Sequence, residues 1–583
     1  MHAARGGSSF QGGLGGYRRG PHVPLVGPLR PGSPGEYYNT SPDISSSTLG
    51  SKRARDHMTA PSDKSQGRSR SSSSAGGEPS GNKVEDGEVD RAAKSAFEDW
   101  LVSKPRARRF ASQHSVPHHL AELLLSRYKA EGCSGTEAAR RARKLLSDRL
   151  ARAEDIELLK MEANTEGSVQ VIDEVEGEFD ERLGEPVLRF SQLGLANVPV
   201  RKEIAEDHPR LLKRGFYANI ELSDSRDNGS GSRFKVTALR PLGPSDTGLL
   251  KRLRAGRKHF SDGAWLYFLV RSIGLAAPSE RVGPRTAALA LLRLVPLAEE
   301  RYSLLELGPR QTGKSYVHED LTPHAHLLSS GTATQAQLFV HAGTGEAGLV
   351  AQYDTVCFDE VTTTSGDIRD VVSGLKGYLS SGASRRGKEE VRGRASVVLL
   401  GNIDRPVEAV LEEDGQLFAP LPEALGQDTT VMDRISAYVP GWEMPKLGPE
   451  YYASGLALPS DVLAGCLNEL RKRNYTPELK RRVSLEGNLT GRDRRAVWQT
   501  ISGLAKLISP ASDGLSTEEV ASEVSDEVLR WAAWLGLEMR LRVRAQQHRL
   551  QPEEFEEGDF GFRVGDDRIM PVRLSEEKAR PAP

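Results

Sequence analysis

A glycine-rich motif near the middle of the chain constrains the fold more than any other feature. An apolar run at 302–307 leads into Gly-Pro-Arg-Gln-Thr-Gly-Lys-Ser at 308–315, which has the spacing G-x-x-x-x-G-K-S. In such a loop the glycines let backbone N–H groups turn towards phosphate oxygens, and the following helix adds partial positive charge. The segment therefore predicts a strand, loop and helix that bind a nucleotide within an α/β fold built on a parallel sheet.

All eight residues of this loop are predicted to contact ATP. Lys314 is expected to reach the outer phosphates, and the Ser315 hydroxyl is expected to bind Mg²⁺. The other predicted contacts are Gly308, Pro309, Arg310, Gln311, Thr312 and Gly313. ATP and Mg²⁺ are therefore the expected cofactors.

Two adjacent carboxylates follow the short apolar run at 354–358. We predict that Asp359 ends a buried strand and holds Mg²⁺ through water, and that Glu360 orients and deprotonates the attacking water. Because this pair follows a phosphate loop, it indicates a hydrolase rather than a simple nucleotide switch.

Two further residues are candidates for the hydrolytic site. Asn402 ends a third apolar run, where a neutral side chain can position the lytic water; the alternative is an ordinary turn residue. Arg434 precedes another short strand and is predicted to act as an arginine finger towards the γ-phosphate of a neighbouring subunit. The alternative for Arg434 is a solvated or locally paired side chain.

The segment 489–507 is typical of an N-capped amphipathic helix with arginines in its first turns. We interpret it as part of a helical lid in which Arg492 contacts the nucleotide as a sensor 2 arginine. Arg495 is the alternative for that role, and a solvated helix face is the alternative for both.

A cationic insertion lies between the two strands that carry Asp359 and Asn402. In a ring ATPase this insertion faces the central channel, so Arg385, Arg386 and Lys388 are candidate contacts to DNA phosphates. The alternative is a loosely ordered, charged hairpin without a ligand.

Composition and periodicity divide the chain into segments. We predict a disordered Gly/Ser/Pro-rich tail, a helical N-terminal unit, a β module, an ATPase core, a helical lid and a polar C-terminal tail. Their predicted bounds are 1–90, 91–165, 166–244, 245–445, 446–550 and 551–583. The helical unit has a basic face that includes Arg140, Arg141, Arg143 and Lys144.

Charge and cysteine usage argue against a polycationic protein, a disulfide framework and a zinc site. The 79 Lys and Arg residues nearly balance 80 Asp and Glu residues, so any affinity for nucleic acid must be local. Cys133, Cys357 and Cys466 include no pair at metal-binding or redox spacing. Since no apolar stretch is long enough to span a membrane, we expect a cytoplasmic protein without a membrane partner.

These segments, in this order, resemble the BrxL family, the Lon-related AAA+ proteins of BREX phage-defence systems. The residues that carry the resemblance are 306–315, 348–350, 358–361, 378–382, 386–390, 401–403, 417–422, 433–434 and 440–446. The resemblance implies an AAA+ ring, related in its core to MCM helicases and Lon. It also implies a homo-hexamer or stacked hexamers that bind DNA and act with other BREX proteins against bacteriophage.

One departure from the longer BrxL proteins concerns proteolysis. Those proteins carry a Lon-like protease domain, which needs on the order of 150 to 200 residues. The helical block here ends near Leu550. We therefore expect ATP hydrolysis without peptidase activity.

Three functions remain in competition. The first is a ring ATPase that engages or translocates on DNA, with residues 93–242 as a DNA-contacting collar. The second is a protein-remodelling unfoldase, and the third is a nucleotide-gated scaffold for other defence proteins. The cationic insertion favours DNA over an unfolded polypeptide, and intact Lys314, Asp359 and Glu360 weigh against an inactive scaffold.

Overall fold

The computed structural model describes residues 84–574 with short gaps. The gaps are 209–210, 213–214, 226–231, 244–247, 280, 320, 323, 330–333, 341–346, 364–368, 387–388 and 511–515. Most of the predicted N-terminal tail, 1–83, lies outside the described residues, as does 575–583. No helix in the described part of the chain has the length and apolar character needed to cross a membrane.

The first helices divide between two parts of the fold. They are α1 (Asp86–Phe97), α2 (Lys104–His114), α3 (His118–Ala130), α4 (Gly135–Arg149) and α5 (Ile156–Glu166), with β1 (Val102–Ser103) between α1 and α2. Helices α2, α3 and α4 share a core that includes Phe110, Leu120 and Leu146. Helix α1 instead packs into the large core of the ATPase region.

Helix α1 corrects the predicted start of the ordered chain at residue 91, because it begins at Asp86. Val89, Ala93 and Phe97 are fully buried and recur every four residues, so they form one apolar stripe. The polar, Gly-rich segment before them obscures the first turn of this stripe in the sequence.

A five-stranded antiparallel sheet follows the helices. Its strands are β2 (Ser168–Asp180), β3 (Glu185–Phe190), β4 (Val198–Pro199), β5 (Phe216–Asp224) and β6 (Phe234–Pro241), in the order β4-β3-β2-β5-β6, with α6 (Lys202–Asp207) between β4 and β5. On one face, Val171, Val175 and Ile220 share a core with Leu159 and Ala163 of α5. Buried residues alternate along much of β2, but Ile172 is also buried, in the core of α2, α3 and α4, so the other face of the sheet is partly covered as well.

The predicted nucleotide-binding region is built on a five-stranded parallel sheet. In chain order the strands are β7 (Ser303–Gly308), β8 (Ala325–Ser329), β9 (Thr355–Asp359), the inserted hairpin of β10 (Ala383–Arg386) and β11 (Glu389–Arg392), then β12 (Ser396–Asn402) and β13 (Ala437–Pro440). The sheet order is β13-β7-β12-β9-β8, and every pairing in it is parallel. The carboxyl ends of β7, β9 and β12 therefore meet at one edge, where α/β sheets bind ligands. This arrangement confirms the predicted fold class.

Helices cover both faces of the parallel sheet. They are α7 (Leu249–Arg257), α8 (Asp262–Ser272), α9 (Pro284–Leu292), α10 (Val295–Ala298), α11 (Tyr316–Glu319), α12 (Gln335–Leu338), α13 (Leu349–Gln352), α14 (Arg369–Ser381), α15 (Val407–Asp414), α16 (Glu423–Gly426) and α17 (Thr429–Met432). Val398 and Leu400 of β12 belong to one hydrophobic core, whereas Val397 and Leu399 belong to another. This alternation explains why the central strands are apolar throughout.

The C-terminal region is mostly helical. It contains β14 (Leu456–Ala457), α18 (Ser460–Arg471), α19 (Thr476–Arg482), β15 (Val483–Gly487), α20 (Gly491–Ile508), α21 (Thr517–Ser522), α22 (Asp526–Leu550), β16 (Phe560–Val564) and β17 (Met570–Val572). Helix α20 starts at a capping box in which Thr490 and Asp493 bond to each other's backbone N–H groups. It packs along α22, and both contribute to the core of the ATPase region.

The predicted polar tail at 551–583 needs correction. Strand β16 pairs antiparallel with β15 on one side and with β17 on the other, which makes a three-stranded sheet. Phe560, Phe562 and Val564 are buried, so the apolar side of this sheet joins the core. The alternation is only five residues long and follows an acidic run, which is why composition predicted a solvated tail.

Candidate functional site

The phosphate loop begins at the end of β7, at the carboxyl edge of the parallel sheet. Lys314 is only 7% exposed. Its ammonium donates hydrogen bonds to the carbonyl oxygens of Gly308 (3.0 Å) and Pro309 (2.7 Å) and to Asn402 Oδ1 (3.1 Å). Burial lowers the pKa of Lys314, against the opposing effect of the Glu306 carboxylate. The predicted phosphate-binding lysine is therefore already held inside the loop.

The structure brings together the two predicted Mg²⁺ ligands. The Ser315 hydroxyl donates to Asp359 Oδ2 at 2.6 Å, and Asp359 is the last residue of β9. Mg²⁺ in nucleotide sites takes few protein oxygens and fills its other positions with water and phosphate. Accordingly, the described residues contain no cluster of three or more His, Cys, Asp or Glu side chains that could form a complete metal site. The hydroxyl and carboxylate oxygens fit the ion.

Asn402 lies between these two groups because β12 lies between β7 and β9. The register pairs Asn402 with Gly308, the first residue of the loop. Its backbone N–H donates to Thr362 Oγ1 at 3.1 Å, while its side-chain oxygen accepts from Lys314. Asn402 is thus tied to the phosphate loop on one side and to the turn after β9 on the other.

Glu360 follows β9 in a left-handed backbone conformation with φ of +52°. For a residue with a side chain this conformation costs roughly 1 to 3 kcal/mol and tends to occur at functional sites. The backbone N–H of Glu360 donates to Asp359 Oδ1 at 2.9 Å, and its carbonyl accepts from Thr363 Oγ1 at 3.0 Å. Its carboxylate is exposed and has no ion-pair or hydrogen-bond partner among the described residues, which leaves it available to accept a proton.

A buried ion pair beneath the loop was not predicted from the sequence. Arg293, at the end of α9, forms two hydrogen bonds of 2.6 and 2.9 Å with the carboxylate of Glu306 on β7. The two side chains are 2% and 0% exposed. The same guanidinium donates to the carbonyl oxygens of Thr312 (3.1 Å) and Gly313 (3.3 Å).

These carbonyl contacts orient two peptide units of the loop. In a trans peptide the C=O and N–H groups point in opposite directions. Because the carbonyls of Thr312 and Gly313 face Arg293, the N–H groups of Gly313 and Lys314 face the other side, where phosphate is expected. One feature of the sequence could have indicated that Arg293 supports the loop: it is a charged residue inside the otherwise apolar run 287–298.

The segment after β13 lies directly against the loop. A Cβ atom on Gly308 would lie 2.3 Å from the carbonyl carbon of Gly441, and one on Gly441 would lie 2.7 Å from the oxygen of Leu307. Beyond this contact, the Leu447 N–H donates to the Gln311 carbonyl at 2.8 Å. Both glycines are therefore needed for the close approach of this segment to the loop.

Arg434 and Arg492, predicted as separate nucleotide contacts, both lie next to Asp433. Arg492 forms an ion pair with the Asp433 carboxylate, and the Arg434 guanidinium donates to the Thr430 carbonyl. Burial, followed by the nearby charge of Arg492, lowers the pKa of Arg434. Within the described chain no hydrogen bond or ion pair joins these two arginines to the phosphate loop. Arg495, the alternative to Arg492, lies near Arg301 instead.

Asp433 is held by a buried network of the lid that the sequence did not predict. Arg540 of α22 is fully buried, and it contacts Asp493 at 2.6 Å and Asp433 at 3.2 Å. Arg544 also pairs with Asp493, the capping-box residue of α20. This network connects the start of α20 and the middle of α22 to the loop that carries Arg434.

The cationic insertion is a two-stranded hairpin, β10–β11. The side chain of Arg385 is 79% exposed and pairs with Glu390, which Arg392 also approaches at 3.4 Å. The two arginines lower the pKa of Glu390. Lys388 and the side chain of Arg386 lie outside the described residues. Arg392, 84% exposed, is a further cation that the sequence analysis did not single out.

Comparison with known proteins identifies relatives of most of the described region. Residues 234–561 match the family "Lon-like protease BrxL-like, ATPase domain", and residues 95–223 match "BREX system Lon protease-like protein BrxL N-terminal". The chain is 33% identical over 472 residues to Lon-like protease BrxL of Bacillus cereus (strain H3081.97), which covers 80% of this chain and 68% of the relative. It is 31% identical over 478 residues to Lon-like protease BrxL of Escherichia coli O9:H4 (strain HS), covering 82% and 67%.

Among solved structures, the chain matches a full-length MCM homolog from Methanopyrus kandleri with a TM-score of 0.34 and 14% identity. The match covers 74% of this chain and 98% of that one. This overall similarity is too low to carry an argument.

Proposed function

Since the chain belongs to the BrxL family, we propose that it is an AAA+ ring ATPase that couples ATP hydrolysis to engaging or translocating on DNA in phage defence. The observation that carries the ATPase part is the convergence of Lys314, Ser315, Asp359 and Asn402 at one sheet edge. The carboxylate of Glu360 lies beside them without a partner among the described residues.

Each of the described side chains at the site has a different role in the proposed hydrolysis. Lys314 would exchange its bonds to the loop carbonyls and to Asn402 for bonds to the outer phosphates, which would release Asn402 to position a water. Glu360 would take the proton of that water as it attacks. Ser315 and Asp359 would hold Mg²⁺, which when bound neutralises phosphate charge. Arg293 keeps the N–H groups of the loop directed at the phosphates throughout.

Arg434 is the proposed link to a neighbouring subunit in a homo-hexamer or stacked hexamers. An arginine finger stabilises the charge of the transferring phosphoryl group. Two observations support this role: the buried Arg540 pairs with Asp433 beside Arg434, and no described hydrogen bond or ion pair joins Arg434 to the phosphate loop of its own subunit. A loop fixed in this way can present the arginine to another subunit at little entropic cost.

DNA is the proposed substrate of the ring, and the β10–β11 hairpin is a proposed contact. Arg385 and Arg392 are exposed on adjacent strands and share only one carboxylate, Glu390. An arginine pair with one acid keeps net positive charge available for phosphates. Other BREX proteins are proposed as further partners.

One experiment tests the combined proposal. ATP hydrolysis by the purified protein is measured against protein concentration, with and without duplex DNA. We expect the rate per subunit to rise with concentration until rings form, and to rise again with DNA. Equal specific activity in a strictly monomeric fraction would contradict the ring, whereas a rate that DNA leaves unchanged would contradict the coupling to DNA.

A further inference from the structure

Helices α2 and α4 carry a concentration of positive charge that the nucleotide site does not use. The 11 residues of α2 contain four Lys and Arg, and the 15 residues of α4 contain five. The only acidic residues in the two helices are Glu137 and Asp148. The whole chain, by contrast, has a net charge of −1.

The two helices lie side by side and run in the same direction. At their starts, Arg106 covers the first turn of α4, because a Cβ on Gly135 would lie 1.6 Å from Arg106 Nη1. Further along, His114 lies close enough to Arg143 for the arginine to lower its pKa, after the larger effect of burial. Arg106 and His114 are separated by the same number of residues as Gly135 and Arg143, so both helices advance equally between the two contacts.

The cations of α2 separate into an inner and an outer set. Lys104 is buried against Glu122 at 2.8 Å, and Arg108 donates to the Ala453 carbonyl while stacking on Tyr452. These two residues, four positions apart, attach α2 to neighbouring elements. Arg106 and Arg109 lie on the other side of the helix and are exposed.

The outer cations are mostly unneutralised. On α4, Arg140 and Arg141 share the Glu137 carboxylate at 2.8 and 2.9 Å. Arg143 and Lys144 are exposed, and like Arg106 and Arg109 they form no ion pair with any described residue. Clustered like charges repel each other, so such a face is stabilised by binding a polyanion.

The chemistry of this face selects among polyanions. None of the large exposed hydrophobic residues of the described chain lies on α2 or α4. A membrane-surface helix needs apolar side chains to insert, and sites for single-stranded nucleic acid stack bases on aromatic rings. The only aromatic ring besides histidine in these helices, Phe110, is buried. A face of cations alone fits the sugar–phosphate backbone of a duplex.

We infer that the outer face of α2 and α4, namely Arg106, Arg109, Arg140, Arg143 and Lys144, binds the phosphate backbone of duplex DNA. This surface is separate from the β10–β11 hairpin, and the inference rests on the proposed function in DNA binding. The connection between α3 and α4 agrees with it. That connection is four residues long and contains Gly132 at φ +83°, as in many helix-turn-helix units that present their second helix to DNA.

The test measures duplex DNA affinity by fluorescence anisotropy across a series of salt concentrations. The variant is Arg109→Ala, Arg143→Ala and Lys144→Ala combined. The matched control removes three exposed cations from other elements, Arg182→Ala, Lys251→Ala and Arg568→Ala. A third variant, Arg109→Lys with Arg143→Lys, keeps the charge. Thermal unfolding verifies that each variant is folded.

We expect the triple variant to bind more weakly and to reduce the magnitude of the log K against log salt slope by about 2 to 3, since each lost phosphate contact removes about 0.9. The control and the lysine variant should keep the wild-type slope. The inference is overturned if the triple variant keeps the affinity and slope of a wild-type protein that binds DNA.

Two further outcomes are informative. If the wild type binds no duplex at any salt concentration, the proposed DNA function fails and this inference fails with it. If instead the triple variant loses ring assembly but its DNA affinity per ring is unchanged, the inference is also overturned. The face would then contact an acidic protein surface such as residues 553–559 of a second copy.

Discussion

The phosphate loop and the β10–β11 hairpin present cations in opposite ways. Lys314 is 7% exposed and bonded to three oxygens, whereas the side chains of Arg385 and Arg392 are 79% and 84% exposed and share one carboxylate. Charges interact strongly in a buried site and weakly in water, where salt screens them further. We therefore expect one buried cation to decide nucleotide binding. DNA binding should instead depend on several exposed cations that can replace one another.

The structure around the phosphate loop is also more buried and more extensive than the structure around the hairpin. The loop rests on the buried Arg293–Glu306 pair and on β7, an interior strand of a five-stranded sheet. The hairpin consists of two strands of four residues each that pair only with each other among the described strands. We therefore expect abrupt losses from changes at the loop and graded losses at the hairpin.

The largest effect is expected for Lys314→Ala, which should abolish ATP binding. Without the ammonium, the only described cation left in the loop is Arg310, which is exposed and lies near Asp404. Calorimetric titration with ATP and Mg²⁺ measures the loss, and Lys251→Ala, an exposed cation of α7, serves as the control. If the Lys314 variant still bound ATP tightly, a single cation would not decide nucleotide binding, and the loop would not differ from the hairpin in this respect.

Glu360→Gln should keep ATP binding and lower turnover by about 10²- to 10⁴-fold, because the amide cannot take the proton of the attacking water. Phosphate release gives the turnover, and titration with ATP gives the affinity. Hydrolysis at the wild-type rate would show that Glu360 is not the base.

Arg434→Ala should lower turnover by up to about 10³-fold in assembled rings if the residue acts on a neighbour's nucleotide. The folded protomer should survive, since Arg540 still holds Asp433. Mixing the variant with the Glu360→Gln variant tests action between subunits. Mixed rings should regain turnover at interfaces where an intact arginine faces an intact glutamate, and the idea is rejected if mixing restores nothing.

The Arg293–Glu306 pair can be removed in two ways that separate stability from positioning. Arg293→Met alone leaves Glu306 buried without its partner, which should cost about 3 to 5 kcal/mol in unfolding free energy. Combining it with Glu306→Met should restore most of that stability. ATP affinity should stay roughly tenfold or more below wild type in the double variant, because the loop carbonyls remain unsupported.

Thermal unfolding and ATP titration are needed together for this pair. Affinity that recovers along with stability in the double variant would show that Arg293 is structural only. The loop would then owe its conformation to its own sequence and to Gly441.

The smallest effect per residue is expected at the hairpin. Replacing Arg385, Arg386 and Lys388 together with Ala should reduce the magnitude of the salt slope for duplex DNA by about 2 to 3. Deletion of residues 1–83 is the comparison, since it leaves α1 intact. If the hairpin variant binds DNA as the wild type does while the deletion eliminates binding, the tail is the DNA-binding element.

Local patterns predicted the central features of the nucleotide site. The glycine spacing, Lys314 and Ser315 lie within eight residues, and Asp359 and Asn402 each end a strand that its apolar run revealed. Their meeting at one edge follows once the strands are parallel. The structure shows where these side chains lie. The roles of all the site residues, the DNA contacts and the expected absence of peptidase activity stay predictions.

Composition failed where a short apolar stripe lies next to a polar run. Val89 belongs to a helix that continues out of a Gly/Ser-rich segment, and Phe560 begins a strand after an acidic one. An average over such a window is polar, although the alternate or every-fourth residues within it are buried. Only the surface against which these residues pack distinguishes a solvated tail from the last element of a core.

The sequence by itself determined the phosphate loop, the acidic strand end and the parallel α/β class, because each depends on neighbouring residues and on strand and helix periodicity. Only the tertiary structure decided which charges support them. Arg293 reaches Glu306 and the loop carbonyls from a different helix, and Arg540 meets Asp433 across more than a hundred residues of chain. From the sequence alone, a charged side chain is predicted to lie on the surface. It becomes a buried support only when the fold supplies an opposite charge close enough to offset its loss of water.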